Sequence, residues 1–336
     1  MHIFSVAATS QSPRDWRREL AEAVSDPREL LSLLDLEHAL GDSIISQPGF
    51  RLRVPMAYIA KMQKGNANDP LLRQVLPMLD ENHSGGVADP VGDLDAMPVP
   101  GLLHKYHGRI LLLTTGACAV HCRYCFRRHF PYSEANPARG GWRQALDYIR
   151  DHSDIAEVIL SGGDPLVLDN TRLGDLLQQL EQIPHLKWLR IHTRLPVVLP
   201  SRIDAQLLQL FHHSRFRLTM VIHVNHANEL SDIEATVLRT LSETGVTLLN
   251  QSVLLKGVND DADTLTALSK SLYEVSVLPY YLHMLDSVRG AMHFDVSRHR
   301  ATALLAQLQT RLPGYLVPRL VQEIAGADSK TVIFAI

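Results

Sequence analysis

All three cysteines of this 336-residue chain fall inside one stretch, CAVHCRYC, at positions 118, 122 and 125. Thiolates are the metal-binding form of cysteine, so Cys118, Cys122 and Cys125 at the spacing CxxxCxxC can grip a metal centre from one short loop. A structural zinc site is closed by four ligands, usually from two separated pairs, and this chain has no second cysteine pair. A cubane 4Fe-4S cluster normally takes four thiolates, so three leave one iron with an open position. An open iron can bind a small molecule. The alternative is a Cys₃His zinc site completed by His121, His129 or a residue elsewhere. An odd, clustered set of cysteines argues against a disulfide framework and for a reducing compartment, here read as the cytoplasm.

The elements that must position this loop are legible in the hydrophobic rhythm. From Arg109 onward, β-branched or aliphatic runs alternate with helical patterns: RILLLTT then WRQALDYIR, EVILSGG then LGDLLQQLEQI, KWLRIHT then IDAQLLQLF, FRLTMVIHV then IEATVLRTLSE, VTLLNQ then DTLTALSKSLYE, LPYYLHML then RATALLAQLQT. Six strand-then-helix units predict an α/β fold with a parallel sheet, either a (β/α) barrel or a doubly wound sheet. The polar segments lie after strand ends, where barrel enzymes collect their chemistry. Upstream, residues 13–80 read as short amphipathic helices, with Asp26 before Pro27 marking one start. The Gly/Pro/Asp-rich stretch NHSGGVADPVGDLDAMPVPG reads as a linker or surface loop. The expected organisation is a helical region over 1–81, a linker over 82–100, and the barrel with its C-terminal segment over 101–336.

Composition narrows the function classes. With 46% hydrophobic residues the chain can bury a large core, and a formal charge of −3 provides no broad basic field for nucleic acid. No apolar run is long enough to span a bilayer. Neither nucleic acid nor a membrane is an expected partner.

CxxxCxxC after the first barrel strand, with SGGDP after the second, resembles the radical S-adenosylmethionine superfamily. The segments CRYCFRR, SGGDPL, RLPVVLP, NHANE, GVTLLNQSVLLKGVND, PYYLHMLD and PGYLVPRL resemble the lysine 2,3-aminomutases within it. GLLHKYHGR, FRRHFPY and the short C-terminus are most similar to the branch that makes (R)-β-lysine for modifying elongation factor P. The resemblance implies a partial (β/α)6 barrel and an L-lysine 2,3-aminomutase. It implies a 4Fe-4S cluster on Cys118, Cys122 and Cys125, with S-adenosylmethionine chelating the fourth iron and held by Ser161, Gly162, Gly163 and Asp164. Lys330 matches the lysine that forms an aldimine with pyridoxal 5'-phosphate, and Lys105, Tyr106 and Arg109 match the phosphate contacts. Arg127 matches the ligand of the substrate carboxylate, while Asp286 and Glu323 match the ligands of the side-chain ammonium. Glu323 stands where the family usually has Asp. Ala327, Asp328 and Ser329 depart from the family's glycine-rich approach to the lysine, although Gly326 and small residues keep the chain compact. The implied partners are L-lysine, an electron donor such as flavodoxin or ferredoxin, and the ligase that loads elongation factor P. A free-standing aminomutase making a β-amino acid metabolite is the nearest alternative. A non-catalytic zinc or iron–sulfur protein is the alternative of another class, and it would have no use for Arg127, Asp286 and Lys330.

Overall fold

Six apolar runs of the sequence become six adjacent parallel strands. The computed structural model describes residues 15–45, 49–135 and 142–335; the opening stretch 1–14 lies outside them. Five short helices come first: α1 (Trp16–Ala21), α2 (Pro27–Leu33), α3 (Glu37–Leu40), α4 (Met56–Ile59) and α5 (Pro70–Arg73). The sheet then runs β1 (Leu102–Tyr106), β2 (Arg109–Thr115), α6 (Arg143–Asp151), β3 (Glu157–Gly162), α7 (Asn170–Glu181), β4 (Trp188–Thr193), α8 (Leu195–Val198) and α9 (Ala205–His213). It continues with β5 (Arg217–Ile222), α10 (Asp232–Glu243), β6 (Thr247–Val253), α11 (Ala262–Glu274), β7 (Leu278–His283), α12 (Arg298–Arg311), β8 (Arg319–Gln322) and β9 (Thr331–Val332).

Each strand pairs with its neighbours in the chain, in the order β1 to β9. From β2 to β8 every pairing is parallel, while β1 and β9 are antiparallel edges. A doubly wound sheet reverses its strand order at a switch point, and this one does not. The ends β1 and β9 remain unpaired with each other, so the sheet is an open, partial barrel.

Local chemistry explains the element ends. Asp169, Asp204, Ser231, Asp261 and Ser297 cap the barrel helices α7, α9, α10, α11 and α12 through side-chain oxygens. Each such cap contributes about 1 kcal/mol. Asp26 caps α2 as expected, accepting from Arg28 N. β1 joins β2 by a two-residue turn in which Gly108 has φ +72°, the left-handed value such hairpins favour.

The expectation of a wholly helical stretch over 13–80 is corrected. The helices are four to seven residues long, and the antiparallel bridges Val24–Val54 and Ile44–Met78 join the turns between them. Segments this short are not stable alone. They hold because Trp16, Leu30, Tyr58 and Leu71 pack in one cluster with Leu112, Leu160 and Ile191 of the sheet. Each fully buried side chain of this kind contributes about 1.5–3 kcal/mol.

A buried ion network closes the joint. Glu81 accepts from Arg123 Nε (2.6 Å) and from Arg128 Nη2 (2.5 Å), with Arg123 and Glu81 wholly enclosed. These arginines flank Cys125, so the N-terminal region holds the cysteine loop directly. Glu81→Gln removes the common counter-charge of two buried cations, a loss of about 3–5 kcal/mol for a broken buried pair. The expected outcome is a large fall in the urea midpoint of the apoprotein; an unchanged midpoint would show the network to be dispensable.

Candidate active site

The cysteine loop leaves β2 at Thr115 and is gripped from two sides. From the N-terminal side, His121 N donates to Arg53 O (3.0 Å) and Arg123 N to Gln74 O (2.8 Å). From the sheet side, Gly163 N donates to Thr115 O (2.7 Å) and Asp164 N to Ala117 O (2.9 Å). A Cβ on Gly163 would sit 2.2 Å from Ala117 O, so only glycine lets the end of β3 approach the loop this closely. The segment Ser161, Gly162, Gly163 and Asp164 thus packs against the start of the cysteine loop. The Asp164 carboxylate is engaged within the protein: it accepts from Thr193 Oγ1 and Arg194 N, both at 2.7 Å, and burial pushes it up to about 6.

Cys118, Cys122 and Cys125 are free thiols. Burial pushes Cys125 up to about 11 and Cys118 well above its ordinary value, with the neighbouring thiols adding to the effect. Such thiols lose their protons only against positive charge, which iron provides. Among the described residues no three His, Cys, Asp or Glu side chains converge as ligands of a single ion. A cubane does not ask for that convergence, because each thiolate binds a different corner iron. His121 Nδ1 lies 2.7 Å from Arg51 O and His129 Nε2 lies 3.1 Å from Arg289 O, so both rings are engaged by backbone.

A chain of alternating charges runs beside the cysteines. Lys330 Nζ donates to Glu323 Oε2 (2.6 Å), and Glu323 Oε1 accepts from Lys105 Nζ (3.2 Å). Lys105 Nζ also pairs with Asp93 Oδ1 (2.6 Å), and Asp93 Oδ2 accepts from Arg127 Nε (2.7 Å). Arg127 Nη1 then reaches Ser161 Oγ (3.2 Å). The pairing of Gln322 with Thr331 explains the first link, since the β8–β9 hairpin folds Glu323 back onto Lys330. Asp93 was not singled out in the sequence, where it sits in an apparent linker; it is 2% exposed and joins two of the expected site residues.

Electrostatics divides the two acidic residues of this corner. Burial works to raise Glu323, but Lys330 and Lys105 overcome it and hold Glu323 down to about 2. Asp286, in the segment after β7, is pushed up to about 7, first by burial and then by the charge on Glu323; Lys330 and Lys105 only partly offset this. Tyr106 is raised by burial and by its hydrogen bond to Glu323. Arg109 stands apart from the charge chain, its guanidinium 4.8 Å from the Tyr106 ring centre.

Three histidines lie nearby, His283 of β7 buried and His192 of β4 and His223 after β5 half-buried. Desolvation pushes His223 down to about 4 and the other two well below their ordinary value, with Lys330 contributing to all three and Arg127 to His192 and His223. They are neutral at pH 7, and the Nε2 atom of each has no partner. Buried polar atoms normally find partners, so these three suit a polar ligand. His192 and His283 carried no sequence signal beyond alternation along their strands. His226, three residues after His223 in the HVNHANE segment, instead accepts from Asn228 N.

A buried carboxyl with a raised pKa opposes folding once it ionises. Below the unfolded value near 4, Asp286 is protonated in both states; the cost enters as pH rises towards 7 and is complete above it. Asp286→Asn in the apoprotein should therefore raise the melting temperature at pH 8 and leave it nearly unchanged at pH 4. Thermal melts at both pH values check this, and destabilisation at pH 8 would show that Asp286 is held by compensating charge.

No protein-family model matches the chain. It is 50% identical over 330 residues to L-lysine 2,3-aminomutase of Escherichia coli (strain K12), covering 97% of this chain and 96% of that protein. It is 48% identical to L-lysine 2,3-aminomutase of Haemophilus influenzae, covering 98% and 99%. The identity is 32% to the enzyme of that name from Clostridium subterminale, covering 94% of this chain and 77% of that one. A radical SAM methyltransferase from Sphaerobacter thermophilus overlays with a TM-score of 0.42 and 16% identity, over 66% of this chain and 68% of that one. With identity this extensive over nearly the full length, the chain belongs to the L-lysine 2,3-aminomutase family, a family of isomerases.

Proposed function

We propose that this protein is a radical S-adenosylmethionine enzyme that uses pyridoxal 5'-phosphate to convert L-lysine into β-lysine, and that the product serves modification of elongation factor P. The observation that carries the lysine reading is the acidic corner. Glu323 and Asp286 lie near Lys330, and Asp286 is driven up to about 7, first by burial and then by the charge on Glu323. A substrate ammonium placed beside Asp286 would favour its ionised form. At the other end, Arg127 spends hydrogen bonds on Asp93 and Ser161 and retains further guanidinium N–H donors for a carboxylate. A cation at one end and two carboxyl groups at the other suit a diamino acid, whose charges are costly to desolvate unless paired.

Cys118, Cys122 and Cys125 would hold the cluster, Lys330 the pyridoxal group, and Lys105, Tyr106 and Arg109 its phosphate. Bound there, these groups supply hydrogen abstraction and a carrier for the migrating nitrogen, which side chains cannot. The protein's part is to bind and orient. Arg127, fixed by Asp93, orients the carboxylate; Asp286 and Glu323 hold the distant ammonium; the buried walls exclude water. The link to elongation factor P rests on the resemblance of GLLHKYHGR and FRRHFPY.

The direct test is anaerobic reconstitution with iron, sulfide, S-adenosylmethionine, pyridoxal phosphate and a reductant, followed by chiral analysis of the product from L-lysine. About four irons per chain are expected, lost when Cys118, Cys122 or Cys125 becomes Ala. Stoichiometric zinc with no iron would exclude the radical reading. Comparing the mass of elongation factor P from cells with and without the gene tests the physiological role; an unchanged mass would favour the free-standing aminomutase.

Borohydride reduction and peptide mapping should place the pyridoxyl group on Lys330, and Lys330→Ala should abolish turnover while leaving iron content intact. An adduct on Lys256 or Lys270 would overturn the assignment. For Asp286→Asn, kcat/KM for lysine should fall by about a hundredfold or more, as expected for a buried cation losing its partner. Norleucine, lacking the ammonium, should be affected far less; equal losses would remove Asp286 from substrate binding.

A further inference from the structure

We propose that Arg194 is a positioning residue that raises the reduction potential of the cluster held by Cys118, Cys122 and Cys125, by donating a charge-assisted hydrogen bond to the Cys122 sulfur. The proposal rests on the cluster reading above. Arg194 is the first residue after β4, is 4% exposed, and places Nη1 2.8 Å from Cys122 Sγ. A guanidinium does not deprotonate in proteins, so this is a permanent positive charge against a ligand sulfur.

Its placement is determined from three directions. The backbone N of Arg194 donates to Asp164 Oδ2 (2.7 Å), tying it to the end of β3. Nη2 donates to Tyr58 Oη (3.0 Å) and Gln74 Oε1 (2.7 Å), both from the N-terminal helical region. Nη2 also donates to Glu229 Oε2 (2.8 Å), which follows β5. Glu229 is itself fully enclosed, with Oε1 accepting from Asn225 N (2.9 Å) and Gln74 Nε2 (3.2 Å). One edge of the guanidinium is thus anchored by three groups from separate segments, and the other is directed at sulfur.

Reduction of a 4Fe-4S cluster from the 2+ to the 1+ state adds one electron and makes or breaks no bond. The added charge spreads over iron and sulfur, so a buried cation donating to a ligand sulfur favours the reduced state. Glu229 opposes that effect from the far side of the guanidinium. The arrangement therefore makes two predictions of opposite sign. Loss of the Arg194 charge makes the cluster harder to reduce; loss of the Glu229 charge makes it easier.

The test uses the anaerobically reconstituted protein without S-adenosylmethionine, titrated with dithionite in the presence of redox mediators. The reduced cluster is followed by its paramagnetic resonance signal, and iron content is matched to wild type. At the wild-type midpoint, Arg194→Gln should lower the reduced-to-oxidised ratio about tenfold, equivalent to about 59 mV for one electron. Glu229→Gln, which keeps a side-chain acceptor for the Asn225 amide, should raise that ratio several-fold. If Arg194→Gln does not assemble a cluster, the direction of the Glu229→Gln shift decides. Midpoints equal to wild type, or displaced in the same direction in both variants as general loosening of the loop would produce, overturn the proposal. A wild-type protein that binds no 4Fe-4S cluster would instead refute the cluster reading itself.

Discussion

Arginine cannot escape the cost of burial by giving up its proton, so every buried arginine demands a counter-charge in a fixed place. Around the cysteine loop this demand is met repeatedly. Arg123 and Arg128 share Glu81, Arg127 takes Asp93, and Arg194 takes Glu229. Glu81 belongs to the N-terminal region, Asp93 to the segment that follows it, and Glu229 to the loop after β5. The loop can adopt its position only when all three segments are in theirs, so a stretch rich in polar residues acquires the rigidity that a metal centre requires.

The open sheet makes room for this arrangement. β1 and β9 close its edges as short antiparallel strands, and the β8–β9 hairpin brings Glu323 and Lys330 together. The charge chain from Lys330 to Ser161 then crosses from the last part of the sheet to its second parallel strand. It connects the positions proposed for pyridoxal phosphate and substrate with the end of β3 that packs against the cysteine loop. The neutral histidines along the same wall add polar atoms without adding charge.

Asp286 and Glu323 show how one corner sets two carboxyl groups apart. Glu323 has Lys330 and Lys105 within hydrogen-bond reach and stays ionised. Asp286 meets burial and the charge of Glu323, which push it up to about 7. The two carboxylate oxygens of Glu323 reach one lysine each, Lys330 and Lys105.

The alternation of apolar runs and helical patterns was sufficient to predict β2 to β7 and the helices between them, because a buried parallel strand and an amphipathic helix each impose a period on their own residues. The three cysteines were legible for a similar reason: their spacing is local. The strands β1, β8 and β9 were not predicted, being short and lacking a following helix to mark them. Asp93 was invisible because its role depends on Lys105 and Arg127, neither close to it in sequence, and its neighbours have the composition of a surface loop. Arg194 was passed over within RLPVVLP for the same reason: its partners Tyr58, Gln74, Cys122 and Glu229 come from four separate segments. The sequence alone determined the elements and the local motifs, since these arise from contacts along the chain; only the tertiary structure decided which charges meet, since buried ion pairs are chosen by packing distant segments together.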